Sequence, residues 1–292
     1  MGLRAKKPEA IQKRLKALFY GGAGVGKTTA AISFPKPYLI DTERGAENTQ
    51  YTEKLKAGGG VIFQTSDFDE LVTEVKALLT EKHEYKTLII DPLTTLYNDL
   101  LDKSAKERMS DKDPDGTAFG GHYGSANKKM KHLLALLLRL DMNVIITCHS
   151  KNEYGTNLSI LGQTYDGYKK LDYLFDLVFE IKKFGLERRG IVKKSRLQEF
   201  QDSDQFPFSY DEIANRYGRD VLERDAVAEV LASKEQIERL KELIELFKVP
   251  EDVVDKWKDK ANAAEFAEMN ESVITKIIAH LEEKIKPKGD AA

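Results

Sequence analysis

The sequence predicts an α/β protein: a mostly parallel β-sheet flanked by helices, followed by a small C-terminal helical domain. Two patterns across the 292 residues predict it. Short, wholly apolar runs alternate with stretches whose apolar residues recur at spacings of three and four, and strands without a polar face imply a sheet buried on both sides. Near residue 232 the runs stop and helical spacing alone continues, which places a boundary between residues 1–232 and 233–292.

In order, Ala17-Leu18-Phe19-Tyr20 is the first buried-strand pattern, and it runs into the glycine-rich segment from Gly21 to Gly26. Further strand patterns end at Asp41, Phe63, Asp91 and Thr147. Phe68, Leu71, Val72, Val75, Leu78 and Leu79 form one helical face, and Met130, Leu133, Leu134, Leu137 and Leu138 form another. Asp102 to Asn127 and Lys151 to Asp166 are polar and glycine-containing, and are expected to be long loops. Leu174 to Lys183 and Gly190 to Lys194 are expected to pair as a hairpin. Beyond the boundary, Ser233-Lys234-Glu235-Gln236 has the spacing of a capping box, Pro250 suits the start of a second helix, and Val273, Ile277, Ile278 and Leu281 stripe a third.

Composition narrows the functional classes. With 46 Lys+Arg against 48 Asp+Glu there is no uniformly basic coat, although residues 234–292 carry 11 Lys/Arg and 14 Asp/Glu while Lys182 to Arg196 carries seven Lys/Arg and one Glu. A lone cysteine, Cys148, excludes an internal disulfide framework. No apolar run approaches the roughly 20 residues of a membrane span, and residues 1–16 lack the apolar stretch of a secretory signal. The expectation is a cytoplasmic protein with no membrane partner.

Chemistry concentrates in Gly21-Gly22-Ala23-Gly24-Val25-Gly26-Lys27-Thr28-Thr29, which fits the G-x-x-x-x-G-K-[ST] pattern between a strand and a helix. Glycines let the backbone curl so that successive N–H groups face phosphate oxygens, Lys27 places a compact positive charge at the β- and γ-phosphates, and the Thr28 hydroxyl suits Mg²⁺. ATP with magnesium is therefore the expected ligand pair. Asp91, closing the apolar run Thr87-Leu88-Ile89-Ile90, is the expected carboxylate for the metal's water shell. Pro92 follows it, so a catalytic base must come from elsewhere. Glu43, just past the strand ending at Asp41, is the candidate to align an attacking water, unless Asp41 and Glu43 merely shape a turn.

These motifs together, with the strand end Ile40-Asp41-Thr42-Glu43-Arg44-Gly45, the run Ile89-Ile90-Asp91 and the strand ending Thr147-Cys148-His149, resemble the RecA-like ATPase core. Within that superfamily the chain is most similar to compact phage ATPases of the Sak group, single-strand annealing recombination proteins, over about residues 14–200. The resemblance implies that Glu43 is the catalytic glutamate, that His149 stands at the γ-phosphate sensor position, where the family typically has Gln, and that Tyr51 stacks on adenine. It implies that Lys193, Lys194 and Arg196 reach the ATP site of the next subunit in a homo-oligomeric filament or ring. It also implies that single-stranded DNA meets the two expected loops, with Lys128, Lys129, Lys131, Lys169 and Lys170 as cations and Phe119, Tyr154, Tyr165 and Tyr168 as stacking candidates.

The expected function is a DNA-dependent ATPase that promotes annealing or strand pairing in phage-type recombination, in the host cytoplasm if phage-encoded. Two alternatives stand beside it: an ATP-dependent assembly factor of a helicase or packaging machine with little turnover, and a nucleotide kinase. The C-terminal helices are either a folded appendage or a docking module for a partner such as a single-strand-binding protein, with Trp257 as core or contact.

Overall fold

The computed structural model describes residues 12–110, 121–157 and 159–283. Its strands are β1 (Lys16–Gly21), β2 (Pro37–Asp41), β3 (Val61–Gln64), β4 (Thr87–Asp91), β5 (Asn143–Tyr154), β6 (Ile160–Tyr165), β7 (Leu177–Phe184), β8 (Glu187–Ser195) and β9 (Gln205–Pro207). Its helices are α1 (Lys27–Ala31), α2 (Thr49–Ala57), α3 (Phe68–Thr80), α4 (Leu93–Ser110), α5 (Gly121–Arg139), α6 (Leu171–Leu174), α7 (Tyr210–Tyr217), α8 (Arg219–Glu223), α9 (Lys234–Leu246), α10 (Glu251–Ala261) and α11 (Glu271–Glu282). None of the described helices is long and apolar enough to cross a membrane.

The chain divides into two compact units. The first, residues 12–64, 84–94, 142–157 and 159–226, contains every described strand. The sheet order is β3-β2-β4-β5-β1-β7-β8-β9, with β6 paired to β5. From β3 through β7 all pairs are parallel, while β7-β8, β8-β9 and β5-β6 are antiparallel. All six residues of β1 are buried, as the uninterrupted apolar run requires. On one face Ala17, Phe19, Leu39, Ile89, Ile145, Phe179 and Ile181 pack with Ala31 of α1, Leu55 of α2, Ile213 of α7 and Leu222 of α8. Phe208 closes this core edge-on to Phe19, with ring centroids 4.9 Å apart. Gly190 makes that possible, because a Cβ there would lie 2.3 Å from the Phe208 ring.

The second unit, among the described residues 65–83, 95–110, 121–141 and 227–283, is helical. The face expected on α3 is buried at Phe68, Leu71, Val75, Leu78 and Leu79. Glu268 is a buried carboxylate whose oxygens meet Lys76 Nζ at 2.6 Å, His132 Nε2 at 3.3 Å and the Ala264 N–H at 2.8 Å. Burial pushes its pKa up, but the hydrogen bonds from His132 and Lys76 outweigh burial and hold it at about 2. Within this unit α9 and α11 enclose a small core of Leu240, Leu243, Ile274 and Leu281, against which Trp257 packs. The capping box forms in full: Ser233 accepts from the Gln236 N–H, and the Gln236 side chain accepts from the Ser233 N–H.

Both expected loops are largely regular structure. Helix α4 continues to Ser110, because Asp102-Lys103-Ser104-Ala105-Lys106-Glu107 is helix-compatible despite its polarity, and α5 begins at Gly121. Phe119 lies outside the described residues. Residues 151–165 form a hairpin instead of a loop: β5 runs on to Tyr154 and pairs with β6 through Ser150–Tyr165, Lys151–Thr164 and Asn152–Gln163.

Candidate nucleotide site

The glycine-rich segment leaves β1 at Gly21 and enters α1 at Lys27. A Cβ on Gly21 would sit 2.5 Å from the Ile181 carbonyl oxygen, so the loop starts where β7 leaves no room for a side chain. Gly24 and Gly26 take φ of 72° and 96°, the left-handed region in which glycine is unstrained. Gly26 caps α1 without a side-chain hydrogen bond, so the first amides of the helix are left for an acceptor from outside. Lys27 Nζ donates to the carbonyls of Gly21 and Gly22, both at 3.0 Å, and so holds the loop curled. Burial lowers its pKa, opposed first by nearby Asp91.

Strand order brings the second half of the site together. β5 lies between β1 and β4, pairing Gly21 with His149 on one side and Ile90 with Ile146 on the other. Asp91, at the end of β4, accepts hydrogen bonds from Thr28 Oγ1 at 2.5 Å and from the Thr147 hydroxyl. Burial raises the Asp91 pKa, against the pull of both hydroxyls. A threonine hydroxyl beside a carboxylate oxygen is a hard, all-oxygen donor pair of the kind Mg²⁺ takes, so the residues fit the expected metal.

One strand further along the sheet, Asp41 builds a turn. Its Oδ1 accepts from the N–H groups of Glu43 (3.3 Å) and Gly45 (3.1 Å), and its Oδ2 accepts from that of Ala46 (2.9 Å). Thr42 Oγ1 donates to the Pro92 carbonyl at 2.7 Å, tying the same turn to the end of β4. The turn-shaping role thus falls to Asp41, while Glu43 extends its carboxylate to within 3.5 Å of His149 Nε2, both side chains remaining partly exposed. The His149 N–H donates to Thr94 Oγ1 at 3.0 Å. Lys27, Thr28 and Asp91, with Glu43 just past β2 and His149 level with Gly21 on β5, therefore gather at the end of the sheet where ligands of open α/β folds bind.

Beside the loop opens a cavity of about 720 Å³. Gly24, Gly26, Thr29 and Tyr51 line it, and so do Arg188, Phe208 and Tyr210 from the β8-β9-α7 corner. Tyr51, expected to stack on adenine, is on this lining; the facing wall is not foreseen, because only the antiparallel return of β8 and β9 brings residues 188 and 208–211 to the loop.

The predicted intersubunit cations each have a partner within the chain. Lys194 Nζ donates to the Asp172 and Phe175 carbonyls, and burial lowers its pKa. Lys193 lies 3.6 Å from Glu180 Oε2, and Arg196 lies 3.4 Å from Asp176 Oδ1 while donating to the Tyr173 carbonyl. Among the proposed stacking residues Tyr168 is buried, and Tyr165 is set edge-on to Tyr20 and bonded to Asp172. Tyr154 is 57 % exposed, and Tyr173, which the sequence does not single out, is 71 % exposed. Lys129 is 3.4 Å from Asp69; Lys128, Lys169 and Lys170 are exposed, as is Lys131.

A family model described as an AAA domain matches residues 13–207. No curated protein matches the chain. The solved structures that match include one titled as the RadB recombinase, 16 % identical over 68 % of this chain and 88 % of that one, with a TM-score of 0.43.

Proposed function

The chain belongs to the AAA domain family, and from that premise we propose that it is a magnesium-dependent, RecA-like ATPase that binds single-stranded DNA and promotes annealing or strand pairing in phage-type recombination. The observation that carries the reading is the joint geometry of loop and sheet end: Thr28 and Asp91 2.5 Å apart, with Glu43, just past β2, and His149 of β5 meeting at 3.5 Å from either side of β4 in the strand order. In this reading the loop amides and Lys27 hold the triphosphate, and the cavity lined by Tyr51 takes the base. Glu43 aligns the attacking water, and His149, touching Glu43, answers to the γ-phosphate. Magnesium, when bound, neutralises charge on the β- and γ-oxygens.

A homo-oligomer, filament or ring, is part of the proposal. Lys193 and Arg196 keep about half of their side chains exposed, and are better placed than Lys194 to exchange an internal partner for a neighbouring subunit's nucleotide. DNA is proposed to meet Lys169, Lys170 and Tyr173 together with Tyr154 of the β5-β6 hairpin. Residues 233–292 are proposed as an appendage open to a protein partner.

The test is phosphate release from ATP with and without single-stranded oligonucleotide at low salt, paired with electron microscopy in a non-hydrolysable analogue. Acceleration by DNA and assembly with analogue are expected. ATP binding with neither would leave an assembly factor of little turnover, and phosphate transfer to a nucleoside acceptor would make the protein a kinase.

A further inference from the structure

The hairpin that joins β7 to β8 folds back over the phosphate-binding loop. Its tip, Gly185-Leu186, turns through a left-handed glycine at φ 60°. Two residues on, Arg188 lies against the loop: a methyl group at Gly26 would meet its Cγ and Nε at 3.7 Å each. The backbone of Arg188 is fixed there, since its carbonyl accepts the Phe208 N–H at 2.9 Å. Its guanidinium, in contrast, is lightly held, with Nη1 donating to the Leu186 carbonyl at 2.8 Å.

The charge around it is unbalanced. Arg189, the next residue, pairs with Glu187 at 3.1 Å. Asp211, the carboxylate on the same cavity wall, is taken by Arg219 at 2.7 Å. Among the described residues Arg188 pairs with no carboxylate, and a second cation, Lys54, also lines the cavity and donates to the Thr29 carbonyl at 2.9 Å. A half-buried arginine without a counter-ion, beside loop amides that await an acceptor, is arranged for an anion.

We propose that Arg188 is a binding residue that grips the nucleotide in cis, at the phosphate nearest the nucleoside, because its guanidinium stands where the glycine loop gives way to the cavity lined by Tyr51 and Tyr210. The proposal rests on the nucleotide reading above and deepens it. Lys27 holds the outer phosphates; Arg188 holds the inner one, which ATP and ADP share. Such a contact is equally strong before and during hydrolysis, so its loss raises KM and leaves kcat in place.

The experiment measures Mg-ATP and Mg-ADP affinity, and the steady-state parameters, for the full-length wild type, Arg188→Ala, Arg188→Lys and the neighbouring Arg189→Ala, with thermal melts of each. Arg188→Ala is expected to weaken ATP and ADP alike by about 10- to 100-fold, the weight of a charge-assisted hydrogen bond. KM rises with kcat kept, Arg188→Lys recovers part of the affinity, and Arg189→Ala is neutral. Wild-type affinity in Arg188→Ala, or a loss confined to ATP, overturns the assignment. If Arg188→Ala melts early, unchanged affinity in Arg188→Lys, which keeps the charge but not the planar fork, overturns it too. No affinity of the wild type for either nucleotide would instead defeat the nucleotide reading itself.

Discussion

The end of the sheet around Lys27 and the C-terminal helices α9 to α11 use polar groups in opposite ways. In the helices each choice agrees with its neighbours: a complete capping box at Ser233, Asn270 accepting from the Ser272 N–H at the start of α11, and surface pairs such as Arg239–Glu282 at 2.8 Å, around a core that is wholly apolar. At the strand ends the choices conflict with stability. Glycines at positive φ interrupt the chain, an ammonium is partly desolvated, and a buried carboxylate faces two hydroxyls. The difference teaches where function lies: buried Glu268, beside the helices, is met by Lys76, His132 and a backbone N–H, whereas Lys27 and Asp91 are hydrogen-bonded to carbonyls and hydroxyls and leave room for a ligand's charge.

Substitutions sharpen that contrast. The largest effect is expected from Lys27→Ala, which removes the loop's cation: phosphate release should fall by about 10³-fold or more, with the melting temperature of the free protein little changed. A drop in stability that matched the loss of activity would make Lys27 a structural strut and erase the contrast. Glu43→Gln comes next, with ATP binding retained and turnover slowed by about 10²- to 10³-fold in single-turnover assays.

The helical unit should respond in stability alone. Glu268, with its pKa held at about 2, contributes stability that is complete above its ordinary value near 4.5 and is lost as the pH falls from there towards 2. Glu268→Gln should cost about 2 kcal/mol at pH 7 and flatten the acid limb of a denaturation series. The smallest change belongs to Ser233→Ala, which should cost about 1 kcal/mol by loss of the cap, with nucleotide affinity untouched.

Local patterns carried most of the fold. The strand ends at Asp41 and Asp91 were legible because a buried parallel strand needs an unbroken apolar run, and the loop because its spacing is itself the structure; at Thr147 only the apolar part of β5 ends, and the strand runs on to Tyr154. Polarity misled at residues 102–110 and 151–165, where helix-compatible and strand-pairing sequence is rich in charge and hydroxyls. Tyr165 and Tyr168 look like surface aromatics in sequence, but ring packing and burial use them internally. Arg188 is one of several cations in a basic run, and Phe208 and Tyr210 carry no local signal: the order in which β8 and β9 add to the sheet edge brings these three to the cavity.

Cys148 offers a practical consequence. It lies in mid-β5 with no exposure, and burial pushes its thiol up to about 12, so the thiolate that reacts with maleimides is scarce at neutral pH. As the chain has no other cysteine, it is already a silent background for labelling. A dye attached through Leu186→Cys, at a position 94 % exposed on the β7-β8 tip, would report on that tip alone, without any prior removal of native thiols.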